Sequence, residues 1–239
     1  MKPHSTEKSW QPDEIDYAGQ EHLDEAYVSG YDQKAQVDPG EDIEALIKQG
    51  LSKHSSVIDL GAGTGTFAKA TALLCHRVIA IDPSPAMYAY LQASIAAMSI
   101  DNLSAANAGF LTYEHTTEPV DFIYTRNALH QLPDFWKVQA LANMHKLLRP
   151  GGIIRIKDLI YDFSPAETKE KISAWLAGAV DDSRYGWTAE ELAEHVRREY
   201  STFSWLFEQM LAQTGFEIIE RDYRKSIYGT YTCRALVIT

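Results

Sequence analysis

The chain has 239 residues, 45% of them hydrophobic and 23% charged, which is the balance of one sizeable soluble globular domain. Its formal net charge of −11 opposes contact with a phosphate backbone. The densest basic cluster (Arg221, Arg224, Lys225) is interleaved with Asp222 and follows Glu220, so nucleic acid is not an expected partner.

Residues 1–16 are polar and expected to be disordered or loosely packed. "DPGE" then reads as a capping box, with Asp38 as N-cap, Pro39 at the first helical position and Glu41 three residues after the cap. Ile43, Leu46, Ile47 and Leu51 follow at helical spacing, and Gly50 lies near the expected end. From there helix and strand alternate. Val57–Leu60 is a strand, Thr66–Leu74 a helix, Arg77–Ile81 a strand and Pro85–Met98 a helix. Leu103–Ala106 is a weaker third strand, "VDFIYT" (120–125) a fourth, Asp134–Leu148 a helix, and "IIRIKDL" (153–159) a fifth strand opened by "RPGG". Two further capping boxes, "SPAE" (164–167) and "TAEE" (188–191), predict two helices between Tyr161 and Tyr200. A third helix is expected over Thr202–Gln213, with Gly215 as its stop. "FEIIERDY" and "YTCRALVIT" close the chain as a hairpin.

The expected fold is therefore α/β: a doubly wound, mostly parallel seven-stranded Rossmann-like sheet with a helical insert between strands 5 and 6. Residues 1–37 are read as an N-terminal tail and cap, and residues 38–239 as the ligand-binding domain, with the insert at about 161–213. Cys75 and Cys233 lie in apolar contexts without CxxC spacing and are expected to be reduced and buried. With no apolar leader and no run near the roughly 20 residues of a membrane span, a cytoplasmic protein without membrane contact is expected.

"VIDLGAGTGTFAKA" (57–70) is a strand, a glycine loop and a helix start, which turns backbone N–H groups toward an anionic ligand. The glycines run Gly61, Gly63, Gly65, with Thr66 where a dinucleotide fingerprint has its third glycine. Asp59 stands just before the loop, where a carboxylate would repel a pyrophosphate and attract an ammonium. An acid beside free amides suits a zwitterion such as the methionine part of S-adenosylmethionine. Asp82, at the end of the second strand and 21 residues after Gly61, can accept both hydroxyls of a ribose. Tight turns for helix–strand packing are the competing reading of the glycines alone.

"DLGAGTG" (59–65), "IDPSPAM" (81–87), "VDFIYTRNALHQL" (120–132) and "LLRPGGIIRIKDL" (147–159) together resemble class I S-adenosylmethionine-dependent methyltransferases of the small-molecule type. The resemblance covers about residues 57–159, and the terminal hairpin adds the antiparallel last strand of that fold. It implies that Gly61, Ala62, Gly63 and Gly65 line the methionine moiety, with Asp59 near its amino group and Asp82 on the ribose. Pro83 and Met87 would flank the adenine, Arg126 would complete the cofactor set, and Tyr31 in "AYVSGYDQ" (26–33) would cover it. Relatives often carry an acid after the third strand for the adenine amino group. Here "NAGF" (107–110) has Gly109 in that place, which leaves backbone amides and Phe110 for the adenine.

Methyl transfer from a sulfonium expels a neutral leaving group, so it rests largely on holding nucleophile and methyl together in a dry site. A base is needed only for an acceptor that arrives protonated. Candidates sit beyond the strand ends: Arg126, Asn127 and His130 after strand four, with His130 the candidate base, and Asp158 at the end of strand five. His130 as a structural group and Asp158 as a turn former are equally open readings. In the aromatic insert, Tyr161, Tyr185, Trp187, Arg198 and Tyr200 are candidates for the acceptor site, against a packed core and a solvated helix end. The histidines have no HxxxH or HxH spacing, so no metal is indicated. The expected function is methyl transfer to a small-molecule acceptor, by a monomer or homodimer, with S-adenosylhomocysteine as product. A non-catalytic binder of S-adenosylmethionine or S-adenosylhomocysteine is the alternative, and a nicotinamide oxidoreductase is disfavoured by the glycine spacing.

Overall fold

A computed structural model describes residues 10–237. Its elements in chain order are α1 (Glu25–Ala35), α2 (Gly40–Lys48), β1 (Ser56–Leu60), α3 (Thr66–Ala72), β2 (Arg77–Asp82), α4 (Pro85–Met98), β3 (Leu103–Asn107) and β4 (Val120–Arg126). Then come α5 (Asp134–Leu147), β5 (Leu148–Tyr161), α6 (Thr168–Ala177), α7 (Ala189–Arg198), β6 (Thr202–Phe203), α8 (Ser204–Gln213), β7 (Phe216–Arg224) and β8 (Tyr228–Ala235).

The sheet runs β3-β2-β1-β4-β5-β8-β7, and the two-residue β6 pairs with β5 off that path. All neighbours are parallel except β8, which pairs antiparallel with β5 and with β7. This is the expected doubly wound sheet. The apolar strand runs are explained by burial on both faces. Val57, Phe122, Tyr124 and Ile153 pack with α2, α3 and Leu91 of α4. Ile58, Leu60, Ile123, Ile154 and Ile156 pack on the opposite face with Leu141, Met144, Phe207 and Leu211 of α5 and α8. From β1 the chain winds outward through β2 and β3, then returns to place β4 on the other flank of β1. The switch point between β1 and β4 is where such a sheet opens a crevice at its strand ends.

Both capping boxes of the insert form: Glu167 accepts from Ser164 N at 2.9 Å, and Glu191 from Thr188 N at 2.8 Å. The box expected at "DPGE" does not. Pro39 is the N-cap, α2 starts at Gly40, and Asp38 Oδ1 accepts from Gly40 N at 2.9 Å, a local turn outside the helix. The helix expected from Thr202 starts at Ser204, because Thr202 and Phe203 extend beside Ile160 and Tyr161 of β5. The fifth strand begins at Leu148 and takes in "RPGG", with a register shift between Val120 and Phe122 absorbing it.

The N-terminal expectation is corrected where the structure describes it; residues 1–9 lie outside the described residues. Trp10 stacks on Trp136 with ring centroids 5.7 Å apart, and Glu14–Tyr17 is a 3-10 turn with Glu14 buried. Cys75 and Cys233 are free and buried. Among the described residues no helix is long and apolar enough to cross a membrane.

Candidate active site

Gly61, Gly63 and Gly65 have φ of +71°, +54° and +82°, in the left-handed region that a Cβ disfavours. The three serve different ends. A Cβ on Gly61 would approach that of Ala128, and one on Gly65 would approach Leu91 Cδ1, both closer than 3.0 Å. These two glycines let the loop close on the segment after β4 and on α4. Gly63 instead faces open space, with Met87 Sδ and Tyr31 Cε1 as its nearest atoms at 4.0 Å.

Two cavities meet at this loop and share Tyr31, Gly61, Gly63, Arg126 and Asn127. The first continues over Asp82, Pro83, Met87 and Phe110 to Glu14, Tyr17 and His22. The second, of about 250 Å³, passes Asp59 and Ala62 and reaches Trp187, Arg224 and Tyr228. Gly65 lines neither; its place is structural packing under α4.

Asp82 is held at the end of β2 by Gly63 N at 2.8 Å and Ser84 N at 2.9 Å. Burial raises its pKa, and those amide bonds offset part of the rise. A carboxylate has about four lone-pair sites, so two remain for a ligand. α1 is docked on the loop through Asp32, which accepts from Thr64 Oγ1, and this sets Tyr31 between the cavities. Burial pushes the Tyr31 phenol up to about 12.

In the second cavity a buried atom of an acid and a buried atom of a base each lack a hydrogen bond. Asp59 is 2% exposed and its Oδ2 has no hydrogen bond; Arg126 Nε is likewise buried and unpaired. Burial, reinforced by the Asp82 charge, pushes Asp59 up to about 8. A buried carboxyl oxygen and a buried guanidinium nitrogen without hydrogen bonds are costly unless a ligand supplies their complements. An ammonium and a carboxylate on one carbon do so. The residues thus fit the zwitterionic end of S-adenosylmethionine, and Asp82 fits its ribose.

Sequence reasoning missed Glu14. Its carboxylate reaches from the N-terminal 3-10 turn to accept from Leu111 N at 3.0 Å and Thr112 Oγ1 at 2.7 Å, and burial raises its pKa. Its side chain fills the space beside Gly109. Gly109 itself lines neither cavity, whereas Phe110 lines the first. The only signal for Glu14 was the bare Gly109. Arg224 and Tyr228 were missed because "RKSIYGT" reads as a turn and nothing more; in the structure Arg224 lies over the Tyr228 ring at 4.9 Å.

Asn127, with φ +48°, lines both cavities. His130 and Asp158 line neither. Asp158 Oδ2 accepts from Leu129 N at 2.8 Å and also from Ala128 N and His130 N, while Oδ1 lies 2.5 Å from His130 Nδ1. Burial alone would lower the His130 pKa, but Asp158 and Glu199 outweigh it and raise it to about 9. With Nδ1 committed to Asp158 and the ring lining neither cavity, His130 is not placed to serve as the base envisaged from the sequence. Asp158 is held below the usual carboxylate range because His130 and the amides outweigh its burial.

Of the acceptor candidates only Trp187 lines either of these two cavities. Tyr161 packs against Phe163 and Phe203. Tyr185 is exposed beneath Arg184, Arg198 pairs with Glu194 at 3.0 Å on the surface, and Tyr200 meets Tyr17 edge to face. α1 and α7 are joined by Lys34 and Glu191 at 2.6 Å, so the cap and the insert close over the second cavity together.

Comparison with known proteins bears on the family and the fold. Residues 57–152 match the methyltransferase domain family. An uncharacterized methyltransferase of Oceanobacillus iheyensis is 29% identical over 150 residues, which span 62% of this chain and 63% of that protein. One from Anoxybacillus flavithermus is 28% identical over 198 residues, covering 80% of this chain and 83% of its own. The crystal structure of a SAM dependent methyltransferase from Aquifex aeolicus superposes with a TM-score of 0.61 at 18% identity, covering 89% of this chain and 99% of that one.

Proposed function

Residues 57–152 of this chain form a class I S-adenosylmethionine-dependent methyltransferase domain, and from that premise we propose that the protein methylates a small molecule held between the cofactor and the cap. The observation that carries this reading is that Asp59 Oδ2 and Arg126 Nε are buried without hydrogen bonds in a cavity continuous with the one over Asp82. Asp59 takes the cofactor's ammonium, Arg126 its carboxylate, Asp82 the ribose hydroxyls, and Glu14 the exocyclic amino group of adenine. Pro83, Met87 and Phe110 flank the base. When bound, the cofactor supplies a methyl group on a sulfonium, which leaves as a neutral thioether.

The chain's own residues position and enclose. Tyr31 and Asn127 stand where the two cavities join, so an acceptor that reaches the methyl passes between them. Trp187, Arg224 and Tyr228 form the far wall, an aromatic surface with one cation, suited to a flat or aromatic acceptor with an acidic group. Asp158 and His130 hold the loop from Arg126 to His130 in shape through three backbone amides and act as positioning residues.

The test is incubation with methyl-labelled S-adenosylmethionine and fractionated small-molecule extract, followed by mass identification of the labelled product. Stabilisation by S-adenosylhomocysteine together with a labelled small molecule supports the reading. Stabilisation without a product in any fraction favours the non-catalytic binder. Stabilisation by NAD(H) and not by S-adenosylhomocysteine overturns the cofactor assignment.

A further inference from the structure

His130, His195 and Glu199 lie outside both cavities. One donor atom from each gathers within 4.8 Å of the other two, and both histidines are buried. His130 comes from the 3-10 turn after β4, His195 from the last turn of α7, and Glu199 is the residue that ends α7. The rings meet edge to face with centroids 4.9 Å apart.

Each ring is held from behind. His130 Nδ1 lies 2.5 Å from Asp158 Oδ1, so Nε2 is turned into the cluster. His195 Nε2 lies 2.8 Å from Ser201 Oγ, so Nδ1 is turned into it. An outer partner on one imidazole nitrogen, with the other aimed at a shared point, is how proteins orient histidine ligands. Glu199 Oε2 completes the set, 2.9 Å from His130 Nε2 and also against His195 Nδ1. This oxygen is buried and shared between the two rings, so an ion bound there would take the place of the proton between Glu199 and His130. Three donor atoms from two separate segments thus face one shared point, as the ligands of a metal ion do.

We propose that His130, His195 and Glu199 bind a first-row divalent metal ion of the zinc class, with Asp158 and Ser201 orienting the two imidazoles. Two imidazole nitrogens and one carboxylate oxygen suit Zn²⁺ or Fe²⁺ better than Mg²⁺ or Ca²⁺, which favour oxygen throughout. With metal–ligand bonds of about 2.1 Å, adjacent ligand atoms stand about 3 Å apart. The His130–Glu199 separation of 2.9 Å already meets that. Three protein ligands leave at least one position for water or for an oxygen of a bound molecule. The ion ties the insert to the β4–α5 segment, a junction where Tyr200 N also donates to His130 O at 2.8 Å. Spacing in the sequence concealed the site because a search for paired histidines passes over His195 and Glu199, four apart. The proposal stands apart from the methyl-transfer reading, and its test reads metal alone.

Tag-free full-length protein, stripped with chelator, is titrated with Zn²⁺ and separately with Co²⁺. The expected results are one ion per chain by plasma mass spectrometry and Co²⁺ absorption bands of a four- or five-coordinate site. His195→Ala and Glu199→Gln each weaken Zn²⁺ binding by roughly a hundredfold or more, and Ser201→Ala by about tenfold. Circular dichroism and a cooperative melt establish that each variant is folded, and two ligand variants guard against the loss of one. Substoichiometric Zn²⁺ uptake by the wild-type protein, or unchanged affinity in the folded ligand variants, overturns the site.

Discussion

The carboxylate of Glu14 occupies the space that a side chain on Gly109 would need: a Cβ there would meet Glu14 Oε1 at less than 3.0 Å. Glu14 thereby enters the first cavity through the gap left by a glycine 95 positions later in the sequence. If Glu14 receives the adenine amino group, Glu14→Gln weakens S-adenosylhomocysteine binding about tenfold, the worth of one hydrogen bond to a charged group. Calorimetry with the adenosyl and inosyl forms checks it. The wild-type protein should prefer the adenosyl form and the variant should lose that preference; an unchanged preference removes Glu14 from adenine recognition. Gly109→Asp should fail to accommodate both acids, and adding Glu14→Ala should restore binding.

Gly63 and Gly65 should separate by readout. Gly65→Ala places a methyl group on Leu91 at a positive φ and should cost about 2 kcal/mol of stability in urea unfolding. Gly63→Ala meets nothing closer than 4.0 Å in the protein, but its methyl group enters the cavity. It should lose S-adenosylhomocysteine affinity by more than it loses stability. The reverse ranking would place the ligand elsewhere.

If Asp59 receives the cofactor's ammonium, cofactor binding depends on pH. Its carboxyl sits at about 8 in the folded chain, against an ordinary 3.8, so it is protonated at neutral pH before a ligand arrives. Receiving an ammonium requires the carboxylate, so affinity for S-adenosylhomocysteine should rise from pH 6 to about 8 with release of up to one proton. Calorimetry in buffers of different ionisation enthalpy counts that proton, and Asp59→Asn should abolish the release. Stability runs the other way. Because the folded pKa is raised, the stabilising contribution is full below the unfolded value and is lost as pH rises through about 8, by at most about 1.4 kcal/mol per pH unit. The Asp59→Asn protein without ligand should therefore melt higher than wild type at pH 8.

Asp158 is 1% exposed and serves three backbone amides besides His130. Asp158→Asn replaces an acceptor oxygen with a donor facing those groups and should lower unfolding stability by about 3 kcal/mol. A variant as stable as wild type would show that the loop after β4 is held by other contacts.

Trp187 and Tyr185 flank one glycine, yet Trp187 lines the second cavity and Tyr185 is exposed. Once an acceptor is identified, Trp187→Ala should raise its KM about tenfold or more, by loss of a buried ring contact. Tyr185→Ala should change it little. Equal effects would move the acceptor site outward onto the surface of the insert.

What could be read in the sequence follows from local physics. β1, β2, β4 and β5 announce themselves as short apolar runs because both faces of the sheet are buried, and the two capping boxes of the insert close within three residues of their caps. The glycine loop, Asp59 and Asp82 are recognisable because each lies at a strand end whose spacing is set by one βαβ unit. Gly65 shows the limit: its positive φ is legible in the motif, but its partner Leu91 is a matter of how α4 packs.

The sequence by itself determined the sheet, the cofactor loop and the chemistry of the donor, because short-range periodicity and backbone dihedral requirements act within one supersecondary unit. Only the tertiary structure decided which of the remaining polar residues face a ligand. It buried His130 and Asp158 beneath the insert, turned Tyr185 and Arg198 to solvent, and brought Glu14 to Gly109 and His195 to His130. Those pairings join segments far apart in the chain, where side-chain packing rather than local propensity sets direction and distance.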